Sequence, residues 1–547
     1  MKSLIHIFTF LIITISFFAC KSDPVPEPVI PLNLLSLTYN GIVLDTTKTN
    51  NDIAIDKSFI AEFNVSIDTN SLSQLITLKD ENENFVILNF DFGSNNRKIY
   101  IIPKDDLIPA TNYSLNFSNN LKSTSGEKFH GLIVSLSTIE EPLADNEIMD
   151  IVQLATFKYF WECIDPTSGL AYKGYPDNNG IIAIGGDGMG VLAMIAGINR
   201  GFVSREEVID RLLQICNYLD TIPARYHGAW SHWIDGSTGE QASIGRRGGD
   251  IVETAFMIQG LLTAREYFEG TSTKEENLRT IITKLWEEVE WDWFVQGNTI
   301  MWHWSETEGY TLPIVGFNEA QIIYILAIAS PTHPVDPSLY DLGWAGGNYD
   351  RNFISPDGPT KGGPLFFTHY SYLALTPYFR DKYCDQAGYS SHFERNRIQV
   401  NENRNWCINN NTKYDYYNEN CWGLTAGATP SQFGGYKAHA PKDNLDVGTI
   451  TVTAAIASMP YEPEKCLAAT KYFYDSYKEN LWDKYGFKDG FNLSTNPDWY
   501  ANNYIIIDQG PIMVMIENYR SGLLWNNFMK NPEIHTALAK IGATLVN

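Results

Sequence analysis

The sequence predicts a mainly helical protein preceded by a small all-β module. Apolar residues recur at helical spacing from about residue 145 onward, and at alternating spacing from about 32 to 138. In addition, Gly, Trp, Tyr and His collect in every second connection between the expected helices.

Residues 1–19 read as an export signal. Lys2 supplies a positive start, and Leu4 to Phe18 form an apolar run too short to span a bilayer. The run stops at Phe18-Ala19-Cys20, and the polar, Pro-rich KSDPVPEP follows. A small residue directly before a cysteine resembles a bacterial lipobox. Cys20 is therefore the expected lipidated N-terminus and residues 20–31 a flexible linker. The protein is expected at the bacterial envelope, anchored by lipid to the outer membrane.

Residues 32–140 carry short alternating segments, among them FIAEFNVSID, FVILNFDF, RKIYIIP, NYSLNFS and LIVSLST, separated by turn residues. About seven strands at this spacing predict a β-sandwich. The phrases FNVSIDTNSL and IIPKDDLIPATNYSLNFSNNLKSTSGEKF resemble bacterial Ig-like domains. The segment holds no constellation of acids or histidines, so its expected role is spacing or packing.

Residues 141–547 are expected to form the functional domain. Helical periodicity marks segments near 144–163, 187–200, 204–220, 249–270, 274–291, 315–329, 366–379, 381–400, 446–458, 461–478, 508–520 and 530–545. Many consecutive pairs are joined by short connections, as in antiparallel hairpins. Six hairpins closing on themselves would make an (α/α)6 barrel whose long loops gather at one end around a cleft.

The net charge of −24 argues against nucleic acid and favours a neutral partner, a neutral oligo- or polysaccharide. The 14 Trp and 30 Tyr can stack on sugar rings or fill large cores. Six cysteines follow Cys20, with Cys407 and Cys421 the first candidates for a bridge. No CxxC or zinc-spaced His/Cys cluster is present, so no metal or cofactor is expected. NENRNWCINNNTKYDYYNEN lacks the ligand order of a calcium loop and reads as solvated. The chain is expected to be monomeric, touching a membrane only through its anchor.

Four carboxylates begin or interrupt apolar helical runs: Asp250 and Glu253 in GGDIVETAFMIQGLL, Glu319 in IVGFNEAQIIYILA, and Asp508 in YIIIDQGPIMVMIEN. Such a charge is costly without a partner or a task. Helix capping accounts for Asp250 or Glu319 taken singly. Asp508, after three Ile and before Gln509-Gly510-Pro511, is expected to be held in place, with Pro511 in the first helical turn. Asp250 and Glu253 share a helix face and suit a substrate-holding role. Glu319 and Asp508 come from different hairpins and can oppose each other. Inverting glycoside hydrolysis needs one carboxyl to protonate the leaving oxygen and another to activate water. Glu319 is accordingly the expected acid and Asp508 the expected base. Expected sugar contacts are Arg246, His303 and Trp304, His369 and Tyr370, and Trp422 and Tyr436. Gly186, Gly188 and Gly190 precede a helix without a βαβ unit, which excludes a dinucleotide fingerprint. Ser231-His232 lacks a nucleophile-elbow context.

The chain from about 145 resembles the bacterial glucoamylase-like domain, and more closely glycoside hydrolase family 144. The motifs are GGDIVETAFMIQGLLTAREYF, HWSETEGY, IVGFNEAQIIYILAIASPTHPV, GGPLFFTHYSYLAL, CWGLTAGATP and IIIDQGPIMVMIENYRSGLLW. The resemblance implies an (α/α)6 barrel, inversion, a cleft lined by Asp250, Glu253, Glu319 and Asp508, and cleavage of β-1,2-glucan to sophorose or sophorooligosaccharides, with a lean towards exo action. One departure is GGDGMGVLAMIAG at 185–197, where the family pattern has an aromatic between the glycines. An inverting glucosidase on α-linked glucan and a non-catalytic glycan-binding lipoprotein are the alternatives.

Overall fold

The computed structural model describes residues 30–139, 143–176, 179–345 and 362–546. The export signal, Cys20 and nearly all of the linker lie outside them. The chain divides into two compact units, Met1–Pro142 and Leu143–Asn547.

Among its described residues the first unit is a sandwich of ten strands: β1 (Leu34–Tyr39), β2 (Ile42–Val43), β3 (Asn50–Ile53), β4 (Phe59–Phe63), β5 (Ile76–Asp80), β6 (Phe85–Val86), β7 (Leu88–Phe92), β8 (Lys98–Pro103), β9 (Asn112–Phe117) and β10 (Leu132–Thr138). A single turn, α1 (Leu72–Leu75), precedes β5. The sheets run β2-β1-β4-β8-β7 and β3-β10-β9-β5-β6. The count exceeds the expected seven because β2, β3 and β6 are too short to show alternation. Inward side chains meet between the sheets, where the Phe63 and Phe129 rings pack edge-on at 5.7 Å and Phe117 closes the group at 6.4 Å from each.

The second unit is helix-rich. Its helices are α2 (Asp145–Glu162), α3 (Ile184–Asn199), α4 (Arg205–Thr221), α5 (Ile251–Tyr267), α6 (Thr273–Glu287), α7 (Gln321–Ala329), α8 (Lys382–Ala387), α9 (His392–Asn409), α10 (Val452–Ile456), α11 (Pro463–Leu481), α12 (Ile506–Ser521), α13 (Leu523–Phe528) and α14 (Pro532–Lys540). Helices α3, α5, α7 and α12 are buried on nearly every side, whereas α4, α6, α11 and α14 bury one stripe. The first group thus forms an inner layer, in which α3 packs on both α5 and α12.

Glycines set that close approach. A Cβ on Gly188 would stand 2.1 Å from the Phe256 carbonyl oxygen, and one on Gly260 would stand 2.2 Å from that of Gly188. On the other side of α3, a Cβ on Gly186 would meet Ile506 at 2.4 Å. The GGDGMG segment is therefore a packing seam with no room for a side chain at Gly186 or Gly188.

Two helix expectations are corrected. The 366–379 stretch forms 3-10 turns, Leu365–Thr368 and Tyr370–Tyr372, because Pro364 and Pro377 bracket it and the Thr368 hydroxyl bonds back to the Leu365 carbonyl at 2.7 Å. The 381–400 stretch splits at Gly388, which has φ 81° and ends α8, before Ser391 caps α9. Helix α9 then runs on through NENRNW, so half of the supposed solvated loop is helical. Pro511 also lies deeper than expected, since α12 begins at Ile506.

Cys163, Cys216, Cys384, Cys407, Cys421 and Cys466 are buried free thiols, so the Cys407–Cys421 bridge is not formed. Hydrogen bonds fasten that loop instead. Asn418 Oδ1 accepts from the Asn420 and Cys421 N–H groups at 2.8 and 2.9 Å, and the Asn403 amide brackets Leu424 at 3.0 and 2.9 Å.

Candidate active site

Asp250 ends a two-residue strand, Gly249–Asp250, that pairs with Thr299–Ser305 and passes directly into α5. Its Oδ1 accepts from the Val252 and Glu253 N–H groups, each at 3.0 Å, which is the capping role the sequence allowed. Its Oδ2 accepts from Trp302 Nε1 at 3.3 Å and lies 3.0 Å from His232 Nδ1. Glu253 Oε2 accepts from the Gly185 N–H at 2.8 Å, while Oε1 lies 3.5 Å from His232 Nε2. His232 thus bridges both carboxylates. Burial pulls its pKa down, but Glu253 and Asp250 outweigh burial and lift it to about 9. At neutral pH a protonated imidazole neutralises part of this acidic pair.

Glu319 sits just before α7. Asn318 Oδ1 accepts from the Ala320 N–H at 2.9 Å, and Ser371 ties the turn by donating to the Glu319 carbonyl and accepting from the Ile322 N–H at 3.0 Å. Burial, with a smaller contribution from Glu253, raises the Glu319 carboxyl to about 7. It can therefore carry a proton near neutrality.

Asp508 occupies the first turn of α12 and is 2% exposed. Both of its carboxyl oxygens are without a donor among the described residues. Burial first, and then the neighbouring carboxyl of Asp489, push its pKa well up. Asp489 itself is raised to about 6, chiefly by burial. Between the acids stands the Tyr370 phenol, buried and without a hydrogen-bond partner among the described residues. Burial raises its pKa, followed in order by Asp508, Tyr436, Glu319 and Glu253, which places one hydroxyl among acids from three separate segments of the chain.

A cavity of about 680 Å³ opens beside this group. Its wall includes Tyr175, His232, Trp233, Tyr436, Trp499 and Tyr504. The acids adjoin it through His232, bonded to Asp250, through Ala428, bonded to Asp489, and through Ile507, next to Asp508. Tyr436, 48% exposed, lies on the hairpin formed by Ala426–Ala428 and Tyr436–Ala438. An apolar and aromatic wall beside clustered acids suits a sugar, whose faces stack and whose hydroxyls need acceptors.

Other expected contacts lie elsewhere. Arg246 pairs with Glu308 at 3.2 Å on the surface, both side chains about half exposed at 48% and 50%. Trp304 packs against His227 and Trp293 at 4.9 and 5.6 Å. His303 is buried across the strand pair from Asp250, neither ring nitrogen has a partner among the described residues, and burial lowers its pKa. His369 is a core residue held to Ser458 at 3.0 Å, its pKa lowered by burial to about 3. Trp422 is fully buried in the core. Sequence reasoning missed Asp489, Trp233 and Trp499, whose local contexts carry no motif, and weighed His232 only as a nucleophile partner of Ser231. Among the described residues, Asp381, Cys384 and His392 bring metal-capable atoms within 4.8 Å of one another. However, Asp381 Oδ2 accepts from the Tyr340 hydroxyl at 2.5 Å and lies 2.9 Å from His392 Nε2, tighter than the roughly 3.3 Å between tetrahedral zinc ligands. The cluster is a buried ion pair.

The family model described as "Putative glucoamylase" matches residues 311–532, and a bacterial Ig-like domain model matches 43–137. A solved Bacteroides uniformis protein of the same glucoamylase description is 44% identical, covers 75% of this chain and 100% of its own, and superposes with a TM-score of 0.70. The chain belongs to this glucoamylase-like family, related to glycoside hydrolase family 144. Within the family, a Chitinophaga pinensis endo-β-1,2-glucanase, solved with sophorotriose and glucose, is 42% identical over 74% of this chain and 99% of its own, with a TM-score of 0.69. An exo β-1,2-glucooligosaccharide sophorohydrolase from Parabacteroides distasonis is 39% identical over 79% of this chain, which spans 61% of that relative's length.

Proposed function

We propose that the chain is an inverting glycoside hydrolase that cleaves β-1,2-glucan to sophorose or short sophorooligosaccharides. The observation that carries this reading is the pairing, around Tyr370, of a proton-holding Glu319 with an Asp508 that has no donor of its own among the described residues. In this reading Glu319 protonates the departing glycosidic oxygen and Asp508 takes the proton of the attacking water on the opposite face of the ring. Asp250, Glu253 and the His232 between them hold substrate hydroxyls, while Trp233, Tyr436 and Trp499 supply stacking faces. The β-1,2-glucan activities of the Chitinophaga and Parabacteroides relatives support the linkage.

The helical unit is proposed to be an (α/α)6 barrel, with α3, α5, α7 and α12 in its inner ring. This is supported by their burial on nearly every side and by the one-faced helices outside them. Lipidation of Cys20 would tether a monomer to the outer membrane. Among the described residues no helix is long and apolar enough to cross a membrane, and a lipid tether requires none.

Incubation with linear β-1,2-glucan and with starch, with products resolved by size and their anomeric form followed by NMR, tests the reading. Inverted β-1,2-linked products from the first polymer alone are expected; sophorose alone would mark exo action and a mixed series endo action. Products only from starch would transfer the site to α-glucan, as the family's glucoamylase description suggests. No products from either would leave a glycan-binding protein.

A further inference from the structure

We infer that Asp489 is a positioning residue for Asp508: the two carboxyl groups share one proton, which lies on Asp508 at rest and passes to Asp489 when Asp508 acts as base, so that Asp489 then donates the hydrogen bond that orients ionised Asp508. The inference rests on the reading of Asp508 as the base.

The backbone of Asp489 is pinned, with its N–H donating to the Asn503 carbonyl at 3.1 Å and its carbonyl accepting from the Val452 N–H at 3.2 Å. One side-chain oxygen, Oδ2, accepts from the Ala428 N–H at 2.5 Å. A Cβ on Gly427 would approach that oxygen to 2.8 Å, so the carboxyl is gripped from the hairpin side. The remaining oxygen, Oδ1, has no donor among the described residues, and neither has Asp508 Oδ1 or Oδ2. Yet the two carboxyls lie close enough to titrate together.

Two ionised carboxylates offer each other only acceptors. A proton between them joins two of the three orphaned oxygens as donor and acceptor. Among the described residues no cation supplies an alternative: the titratable groups facing the pair are the phenols of Tyr159, Tyr370 and Tyr436, whose pKa values Asp508 helps to raise, after burial, with Asp489 adding to the effect at Tyr436. Burial raises both members, and the neighbouring carboxyl raises Asp508 further while its bond lowers Asp489, the expected behaviour of a pair that retains one proton at neutral pH, at rest on Asp508. Since the Ala428 N–H already occupies Asp489 Oδ2, a proton passed from Asp508 goes to Asp489 Oδ1, from which it points back at Asp508 and leaves Asp508 ionised. No covalent bond changes; the proton only chooses its side.

Infrared difference spectra of the full chain at pH 7 count the proton directly. Asp489→Asn and Asp508→Asn should each lose one protonated-carboxyl C=O band relative to the parent protein, because removing either carboxyl leaves the other with an amide donor and no like charge. Persistence of that band in Asp489→Asn would overturn the proposal. Kinetically, Asp489→Asn, which keeps a donor for Asp508 and an acceptor for Ala428, should hold kcat within roughly tenfold, whereas Asp489→Leu should lower kcat by about 100-fold with KM little changed. Equal kcat losses in the two variants would also overturn it, and should Asp489→Leu not fold, the Asn spectrum decides. The spectra do not depend on turnover. If Asp508→Asn kept normal turnover while the band was lost as expected, the base assignment would fall and the shared proton would stand.

Discussion

Replacing Glu319 by Gln should abolish most turnover and, at the same time, stabilise the fold at alkaline pH. The carboxyl rises from 4.5 to about 7 in the folded chain because burial penalises its charged form. A rise from 4.5 to about 7 corresponds to about 3 kcal/mol. The folded state holds the proton more tightly than the unfolded state. Glu319 therefore costs nothing below about pH 4.5, its penalty grows between 4.5 and 7, and it levels off above 7. Glutamine keeps the shape and cannot ionise. Urea unfolding of both proteins across pH 4 to 8.5 should give curves that converge in acid and separate by up to about 3 kcal/mol in favour of Glu319→Gln above pH 7. Turnover on β-1,2-glucan should fall by about two or more orders of magnitude, the usual contribution of a positioned acid. The parent's kcat should itself decline as pH rises through about 7, where the acid loses its proton. Parallel stability curves would refute the buried-acid argument. Near-normal rates would refute the acid role.

Two further perturbations test the scaffold around the site. His232→Gln removes the cation between Asp250 and Glu253 and should destabilise the fold by about 2 kcal/mol at pH 6. Because the His232 pKa is raised, from 6.5 to about 9, this loss should be full below pH 6.5 and disappear as pH rises through 9; urea titrations at pH 6 and 10 would show it, and a pH-independent difference would contradict the bridge. Gly188→Ala places a methyl group 2.1 Å from the backbone oxygen of Phe256 and should cost about 3 kcal/mol. An unchanged melting temperature would mean that α3 and α5 are not in such close contact.

Much of the fold was legible because burial leaves periodic traces. The all-round apolar runs of α5 and α7 and the alternation in β8 and β10 record which faces meet the core. The 366–379 stretch misled because its apolar residues pack in 3-10 turns between prolines, where periodicity carries no helical signal. Site residues follow the same division. A carboxylate in an apolar run stands out in one dimension, so Asp250, Glu253, Glu319 and Asp508 could be picked from the sequence. Aromatics and histidines in loops do not stand out in this way. His369 and Trp422 resemble cleft residues in their local sequence and are core residues in the fold.

By itself, then, the sequence determined the two-part architecture, the export signal as an expectation, and the four acids that begin or interrupt helices. Tertiary structure alone decided their partners. His232 lies 18 positions before Asp250 and reaches it because Ile181–Ala183 pairs with Trp233–Asp235 at the entrance to α3, against α5. Asp489 meets Asp508 because a hairpin N–H, a tight glycine and the first turn of α12 converge. Such pairings depend on distances between elements remote in the chain. Hydrophobic periodicity specifies which face of a helix is buried, but not which polar group will be found opposite it.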